Sequence, residues 1–346
     1  MRIVVDAMTA DRGPSVVVDG AVQAARDFGV EIILVGKEDI LRAELAKHTT
    51  AGPSIRIVHA SEVVDMHEHT MAVKEKKDNS MSVGIRLVKQ GEADAFVTPG
   101  NTGAALAAAL FTLGRIRGID RPALCSVWPV SPTPAAFVDL GANTDPKPDN
   151  LVQNALMGSL FAECVLGIRR PRVGIVSNGE EEDKGSMAVR DAFKLLKNSP
   201  LNFVGNLEGR DIAKGKADVI VTDGFTGNVV LKYTEGFLSF LVKFLRRNLT
   251  GGLPAKIALV LLIPGAILML PGLLLLLPNL RRMRTRIDAR EYGAALLVGV
   301  DGNVLIGHGR SDAHAIRNSV RTAMRVVEGR IVERIKEGLQ ALPAAS

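Results

Sequence analysis

One local pattern recurs along this chain: an apolar stretch ends in a cluster of Gly, Asn and Asp, and a helical pattern follows. The pattern occurs at 97–104, 138–143, 175–185, 221–230 and 305–314. Glycine lets the backbone turn tightly and approach another group without a side chain in the way. A helix that starts after such a turn presents unpaired N–H groups and the positive end of its dipole, which favour an anion. We therefore expect the five turns to converge on one crevice that binds something negatively charged.

Strand-like runs alternate with helical patterns over most of the 346 residues. The strand-like runs are RIVVDAM, VEIILVG, IRIVHA, DAFVTPG, ALCSVWPV, AAFVDLG, VGIVSNG, LNFVGN, ADVIVTDG and ALLVGVDGNVLIGHG. Residues 103–113, 150–166 and 187–196 show the apolar spacing of helices. This alternation predicts an α/β fold, with an open, mainly parallel sheet and helices on both faces. In such folds ligands bind beyond the carboxyl ends of the strands, where these turns fall.

Composition narrows the possible partners. The net charge is +6, which suits an anionic membrane, an acidic protein or nucleic acid. Aromatic residues make up only 4 %, so base-stacking surfaces, and hence nucleic acid, are disfavoured. Cys125 and Cys164 lack metal-ligand spacing and are expected to be buried free thiols in a reducing compartment. The first residues form a strand pattern rather than a secretory signal, which predicts a cytoplasmic location.

An uncharged apolar segment, 257–280, follows an amphipathic helical pattern at 234–249. Its length would allow it to span a bilayer. However, Pro264, Pro271 and Pro278 would each kink a helix, and basic residues flank the segment on both sides. An interfacial or re-entrant hairpin on an anionic lipid surface is favoured, while a membrane span and a buried subunit interface remain open. The residues expected at this docking surface are Arg246, Arg247, Leu268, Leu275, Arg281 and Arg282.

Several motifs occur in a distinctive order along nearly the whole chain. They are VVDAM with Asp11 and Pro14, KKDNSM at 76–81, GNTGA at 100–104, GRIRGIDRPAL at 114–124, VDLGAN at 138–143, KPDNLVQNALMGS at 147–159, GEEEDKG at 179–185, VTDGFTGNVVLK at 221–232, EYGAALLVG at 291–299 and HGRS at 308–311. On these motifs the chain resembles the phosphate acyltransferases of bacterial phospholipid synthesis. That family makes acyl phosphate from acyl-[acyl carrier protein] and inorganic phosphate.

The resemblance implies a single α/β catalytic unit over 1–346, with the fold of the isocitrate and isopropylmalate dehydrogenases. It also implies a homodimer, no metal and no nicotinamide cofactor. A helical hairpin inserted at 234–290 would mediate peripheral association with the inner face of the cytoplasmic membrane and contribute dimer contacts. The implied partners are acyl carrier protein, inorganic phosphate, the anionic membrane surface and a downstream membrane glycerol-3-phosphate acyltransferase.

Six residues depart from the family pattern. Thr9 and Ala10 stand where two glycines are usual, which predicts a crowded first turn. Lys74 replaces an Arg and Asn79 a Ser, while Ser177 and Asn178 replace an Asn–aliphatic pair.

In the implied reaction a phosphate oxygen attacks the thioester carbonyl, and the carrier-protein thiol leaves. Phosphate is already a nucleophile, so the enzyme must mainly orient it, stabilise the oxyanion and help the thiolate leave. Lys184 would pair with phosphate, Asp223 would orient a Lys or His, and Asn228 would lie at the phosphate turn. His308 would protonate the departing thiolate.

The remaining candidates would bind phosphate or the thioester through turn amides and side chains. They are Gly100, Asn101, Thr102, Gly103, Gly141, Asn143, Gly179, Gly224 and Gly227. Helix capping is the structural alternative for Asn101 and Thr102, and an Asx turn is the alternative for Asp223.

Two other functions remain open. A metal- and NAD-dependent decarboxylating dehydrogenase would gather Asp6, Asp11, Asp139 and Asp223 around Mg²⁺ or Mn²⁺. The sequence lacks the GxGxxG fingerprint that would support it. A catalytically silent membrane-bound scaffold would bind carrier protein without turnover.

Overall fold

The structure is a computed structural model that describes residues 1–48, 55–129, 133–250 and 289–342, together with 261, 265, 269, 271–272 and 274–279. The chain divides into two compact units. The first comprises Met1–Gly227 and Ala289–Ser346, and the second comprises Asn228–Asp288.

The described residues of the first unit form one eleven-stranded sheet with helices around it. The strands are β1 (Arg2–Asp6), β2 (Glu31–Gly36), β3 (Ile55–His59), β4 (Ala95–Thr98), β5 (Ala123–Trp128), β6 (Ala135–Val138), β7 (Arg172–Val176), β8 (Asn202–Leu207), β9 (Val219–Val221), β10 (Ala295–Val298) and β11 (Val304–Ile306). Their order is β3-β2-β1-β4-β11-β10-β5-β6-β9-β7-β8. Each of the ten strand-like runs of the sequence contains a strand, and the last contains two.

The helices fall largely between successive strands, as the alternation predicts. They are α1 (Pro14–Phe28), α2 (Glu38–Leu45), α3 (Ala72–Glu75), α4 (Ser80–Lys89), α5 (Thr102–Thr112), α6 (Pro148–Phe161), α7 (Met187–Lys197), α8 (Gly224–Thr250), α9 (Ala313–Glu328) and α10 (Ile331–Leu339). A π-helical turn, Ala162–Leu166, extends α6. The predicted helices at 103–113, 150–166 and 187–196 are therefore confirmed.

The sheet contains two parallel blocks that run in opposite directions. β3, β2, β1, β4 and β11 are parallel to one another, and so are β6, β9, β7 and β8. Between the blocks, the pairs β11–β10, β10–β5 and β5–β6 are antiparallel. The carboxyl ends of β1, β4 and β11 therefore lie at one edge of the sheet, here called the upper edge. Those of β6, β7 and β9 lie at the opposite, lower edge.

Alternate strand residues pack into different apolar clusters, which shows that both faces of the sheet are covered. In β1, Ile3 and Val5 belong to one cluster and Val4 to the other, as the two-residue period of a strand requires. On the first face α1 packs closely on α9: a Cβ added to Gly20 would lie 2.5 Å from the carbonyl oxygen of Ala313. The prediction of an open, mainly parallel sheet with helices on both faces is confirmed.

The two cysteines are free thiols, as expected. Cys125 is buried, whereas Cys164 is only half-buried. The half-exposed Cys164 thiol accepts a hydrogen bond from Arg334 Nη1 at 3.1 Å.

The second unit begins within α8, which starts ten residues earlier than the pattern at 234–249 indicates. Two aromatic pairs lie along this helix, Tyr233–Phe237 with ring centroids 6.1 Å apart and Phe240–Phe244 with centroids 5.6 Å apart. All four rings are exposed.

The predicted docking residues are described only in part. Arg246 and Arg247 lie in α8, and Leu275 is 80 % exposed. Leu268, Arg281 and Arg282 fall outside the described residues. Within the described part of the chain, no helix is both long enough and apolar enough to cross a membrane.

Candidate active site

Three turns meet at the upper edge of the sheet, and we call residues 6–13, 98–103 and 307–312 the upper cluster. The Gly307 N–H donates to the Thr98 carbonyl oxygen at 2.7 Å, which ties the turn after β11 to the end of β4. The Asp11 N–H donates to the Gly309 carbonyl oxygen at 2.9 Å. These bonds fix the first turn, the GNTGA turn and the HGRS turn against one another.

Both polar atoms of the Asn101 side chain form hydrogen bonds within the protein. Its Oδ1 accepts the Ala104 N–H at 3.1 Å, so Asn101 caps α5 as the capping alternative proposed. Its Nδ2 donates to the carbonyl oxygens of Met66, at 3.0 Å, and Glu68, at 3.3 Å. The side chain therefore anchors the 66–70 loop beside the helix terminus rather than pointing an amide at a ligand.

Gly100 and Gly103 allow close approach of neighbouring groups. The Gly100 N–H donates to Thr98 Oγ1 at 3.1 Å, so it already has an acceptor within the upper cluster. A Cβ at Gly100 would collide with the end of the Met81 side chain, and one at Gly103 would lie 2.8 Å from Thr70 Oγ1.

A buried carboxylate, Asp6, lies beneath this turn. Its Oδ2 accepts the hydroxyls of Thr9 and Thr98, each at 2.8 Å, and its Oδ1 accepts the Met8 N–H at 3.1 Å. Burial raises the pKa of Asp6, and these hydrogen bonds offset part of the rise.

The first turn accommodates Thr9 and Ala10 without backbone strain. Among the described residues other than glycine, only Arg170 and Arg330 have a positive φ. The left-handed geometry that would demand glycine is therefore absent at both positions. The predicted crowding therefore does not distort the backbone of the first turn, and the Thr9 side chain is accommodated with its hydroxyl bonded to Asp6.

Several polar groups of the upper cluster have no hydrogen-bond partner among the described residues and could bind a ligand. The first intrahelical bond of α5 runs from the Ala105 N–H to the Asn101 carbonyl oxygen, so the N–H groups of Thr102 and Gly103 precede it. The side chains of Thr102, His308 and Arg310 are exposed. Within the described part of the chain, none of these three side chains has a hydrogen-bond or ion-pair partner. Sequence reasoning missed Arg310, although the HGRS motif contains it and guanidinium suits phosphate.

The lower edge carries a second group of turns, residues 139–143, 177–185 and 222–227, here called the lower cluster. The Asp139 carboxylate organises its first turn. Oδ1 accepts the N–H groups of Leu124 at 2.9 Å, Gly141 at 3.1 Å and Ala142 at 3.0 Å, while Oδ2 accepts the Asn143 N–H at 2.7 Å. Burial raises the pKa of Asp139, and the four N–H bonds, which stabilise the charged form, offset part of that rise.

Asp223 caps α8 with both of its oxygens. Oδ1 accepts the Thr226 N–H and Oδ2 accepts the Thr226 hydroxyl, both at 2.7 Å. A carboxylate already occupies the positive end of this helix, which is where a bound anion would lie. The prediction that Asp223 orients a Lys or His finds no such contact within the described residues.

The glycines of the DGFTGN turn allow two turns to touch. The Gly224 N–H donates to the Asn143 carbonyl oxygen at 2.8 Å. A Cβ at Gly224 would lie 2.9 Å from Asp139 Oδ2, and one at Gly227 would collide with the Asp139 carbonyl oxygen. Their backbone N–H groups are bonded within the cluster, since Gly227 donates to the Asp223 carbonyl oxygen at 2.9 Å.

Lys184 is an exposed member of the lower cluster, and Asn228, the first residue of the second unit, is exposed as well. The Lys184 stem packs on Gly179, where a Cβ would lie 2.7 Å from Lys184 Cγ. The Lys184 ammonium has no ion-pair partner in the part of the chain that the structure describes.

The expectation of one crevice is therefore wrong for a single chain. Gly100, Asn101, Thr102, Gly103 and His308 lie together at the upper edge. Gly141, Asn143, Gly179, Lys184, Asp223, Gly224 and Gly227 lie at the lower edge. Because the pairs β11–β10, β10–β5 and β5–β6 are antiparallel, the strands of the second parallel block run opposite to those of the first. The alternation of strands and helices in the sequence does not reveal this change of direction.

The four aspartates considered as metal ligands are divided in the same way. Asp6 and Asp11 belong to the upper cluster, whereas Asp139 and Asp223 belong to the lower cluster. Across the described residues, no group of three or more His, Cys, Asp or Glu side chains is arranged to hold a metal ion.

Comparison with known proteins identifies the family. A family model described as "Fatty acid synthesis protein" matches residues 1–334. A phosphate acyltransferase of Pelotomaculum thermopropionicum is 45 % identical over 343 residues, which cover 99 % of this chain and 96 % of that protein. A phosphate acyltransferase of Alkaliphilus oremlandii is 43 % identical over 343 residues, covering 99 % and 98 %.

Solved structures share the fold at low sequence identity. A phosphotransacetylase from Streptococcus pyogenes has a TM-score of 0.61 at 18 % identity, covering 96 % of this chain and 94 % of that one. A 4-hydroxythreonine-4-phosphate dehydrogenase from Klebsiella pneumoniae has a TM-score of 0.53 at 12 % identity, covering 94 % and 98 %.

These matches define an enzyme of the transferase class, an acyltransferase. The chain belongs to the Fatty acid synthesis protein family.

Proposed function

We propose that the protein transfers a fatty acyl group from acyl-[acyl carrier protein] to inorganic phosphate, and that phosphate binds at the upper cluster. One observation carries the choice of cluster. In the 139–143 turn and the turn at the start of α8, the N–H groups of Gly141, Ala142, Asn143, Gly224 and Thr226 are bonded within the cluster. In the upper cluster, by contrast, the N–H groups of Thr102 and Gly103 precede the first intrahelical bond of α5, and the exposed side chains of His308 and Arg310 belong to the same cluster.

In this proposal the start of α5 holds the phosphate dianion. The N–H groups of Thr102 and Gly103, together with the Thr102 hydroxyl, donate to phosphate oxygens at the positive end of the helix. Arg310 supplies a planar pair of N–H donors from the neighbouring turn. Together these groups hold the nucleophile in place and orient it, which is the main demand of the reaction.

The reaction balances with one proton transfer. An oxygen of hydrogen phosphate forms a bond to the thioester carbonyl carbon, and the tetrahedral intermediate collapses by breaking the C–S bond. His308 accepts the phosphate proton and delivers it to the leaving thiolate, so that acyl phosphate and free thiol are formed.

The resemblance to phosphate acyltransferases supports the proposed partners. The donor is acyl carrier protein, whose acidic surface would meet basic residues of the 228–288 unit such as Arg246 and Arg247. The segment 234–290, expected from the sequence to be a helical hairpin, would associate with the inner face of the cytoplasmic membrane and contribute to a homodimer. A membrane glycerol-3-phosphate acyltransferase would then consume the acyl phosphate for phospholipid synthesis.

A second candidate location for phosphate is the lower cluster. Lys184 is exposed and unpaired among the described residues, and Asn228 is exposed one residue after Gly227. Under this alternative Lys184 pairs with phosphate while Asp223 shapes the turn around it.

The test is phosphate-dependent loss of palmitoyl-[acyl carrier protein], with acyl phosphate trapped by hydroxylamine. The assay contains chelator and no added nucleotide. We expect turnover that saturates with phosphate. Carrier-protein binding without turnover would instead support the scaffold, and a requirement for added metal and NAD would support the dehydrogenase.

A further inference from the structure

Thr9 occupies a buried position between the first turn and the end of β4. Its side chain is 5 % exposed, and both Asp6 and Thr98 are fully buried. Thr9 Oγ1 lies 2.8 Å from Asp6 Oδ2 and 3.2 Å from Thr98 Oγ1. The three side chains form one buried polar network.

The donors and acceptors of this network can be assigned. A threonine hydroxyl has one proton to donate, and an ionised carboxylate can only accept. Thr9 and Thr98 therefore both donate to Asp6 Oδ2, which leaves Thr98 Oγ1 as the acceptor for the Gly100 N–H at 3.1 Å. The network thus ends on the backbone one residue before Asn101, the cap of α5.

Thr9 also defines the position of Gly100 by contact. A Cβ added to Gly100 would lie 2.8 Å from Thr9 Oγ1 and 2.9 Å from Thr9 Cβ. The Thr9 side chain therefore fills the space that a side chain at residue 100 would need. A glycine at position 9 would leave that space empty and Asp6 Oδ2 with one hydroxyl donor fewer.

We propose that Thr9 is a positioning residue for the anion site at the start of α5. It acts through Asp6 and Thr98 and by direct contact with Gly100, and it touches neither phosphate nor the thioester. The inference rests on the proposed binding of phosphate at the upper cluster. It assigns a role to a residue that the sequence analysis expected only to crowd the first turn.

The test compares Thr9→Val, which keeps the shape and removes the hydroxyl, with Thr9→Ser, which keeps the hydroxyl. The matched control is Thr322→Val, because the Thr322 hydroxyl is also buried and bonds a backbone carbonyl, that of Tyr292, at 3.0 Å. We expect Thr9→Val to raise the KM for phosphate about tenfold, the effect of one net hydrogen bond, with kcat changed less than about twofold. Thr9→Ser should restore the wild-type KM.

The outcomes separate the inference from the proposed function. Absence of phosphate-dependent turnover in the wild type would overturn the function itself. Turnover in the wild type with an unchanged KM in Thr9→Val, or an equal rise in KM in Thr322→Val, would overturn only the role of Thr9. If Thr9→Val does not fold, Thr9→Ala removes the same hydroxyl with less bulk and gives the same readout.

Discussion

Replacing Asn101 by Ala should separate the structural and functional parts of the upper cluster. The substitution removes the cap bond to the Ala104 N–H, worth about 1 kcal/mol. It also removes the amide that bonds the carbonyl oxygens of Met66 and Glu68, worth roughly 1 kcal/mol more. We expect a loss of about 2 kcal/mol in the free energy of unfolding, and a Tm lower by about 4 °C for a chain of this size.

The functional effect should exceed what lost stability explains. With the 66–70 loop released and the first turn of α5 frayed, the N–H groups of Thr102 and Gly103 lose their fixed direction. The KM for phosphate should therefore rise roughly tenfold, the effect of about one hydrogen bond.

Steady-state kinetics at a temperature well below both Tm values measures that change, and Ser186→Ala is the control. Ser186 caps α7 through its bond to the Val189 N–H at 3.3 Å. This helix connects β7 to β8, which lie at the other end of the strand order from β1 and β4 of the upper cluster. The control should lose stability with no change in the KM for phosphate. A lowered Tm with an unchanged KM in Asn101→Ala would refute the reasoning, because Asn101 would then be a cap and nothing more.

Two further predictions concern other parts of the molecule. Burial alone would raise the pKa of Asp211, but hydrogen bonds from Lys216 and Lys214 outweigh it and lower the pKa to about 2. A lowered carboxyl pKa contributes stability above its unfolded value, near 4, that is lost as the pH falls toward 2. Asp211→Asn should therefore lower the Tm at pH 7, with the difference shrinking below about pH 4; a Tm difference that stays constant from pH 7 to pH 3 would contradict this. Leu275→Asp should weaken co-sedimentation with anionic liposomes, because it places a charge on an exposed apolar side chain of the proposed membrane-associated unit; unchanged binding would remove Leu275 from the membrane surface.

Much of the fold could be predicted because it depends on local patterns. Continuous apolar runs such as RIVVD and EIILVG, which are buried from their second residue onward, and apolar spacing in helices such as α7, are properties of short segments. The glycine turns were also located correctly, since close approach and tight turns are local demands. Gly224 and Gly227 illustrate this, because each contacts the 139–143 turn where a Cβ would clash.

The division into two clusters could not be predicted, because it depends on strand pairing between distant segments. The runs around β5, β6 and β10 look like the parallel strands beside them. Only their registers show the antiparallel pairs that place Asp139 and Asn101 at opposite edges. In the same way, the sequence identifies Asp139 and Asp223 as candidates. It does not reveal that their carboxylate oxygens already accept hydrogen bonds from backbone N–H groups. The proposed role of Arg310 could not be inferred either, because it rests on the absence of a bonding partner among the residues that the structure describes.

The most direct test of the account measures the KM for phosphate in Arg310→Ala and Lys184→Ala side by side, in the hydroxylamine assay. Both residues are exposed and unpaired among the described residues, so neither substitution should disturb the fold. With phosphate at the upper cluster, Arg310→Ala should raise the KM by at least about tenfold, the loss of one charge-assisted contact, while Lys184→Ala stays near wild type. The reverse pattern would place phosphate at the lower cluster and contradict the account.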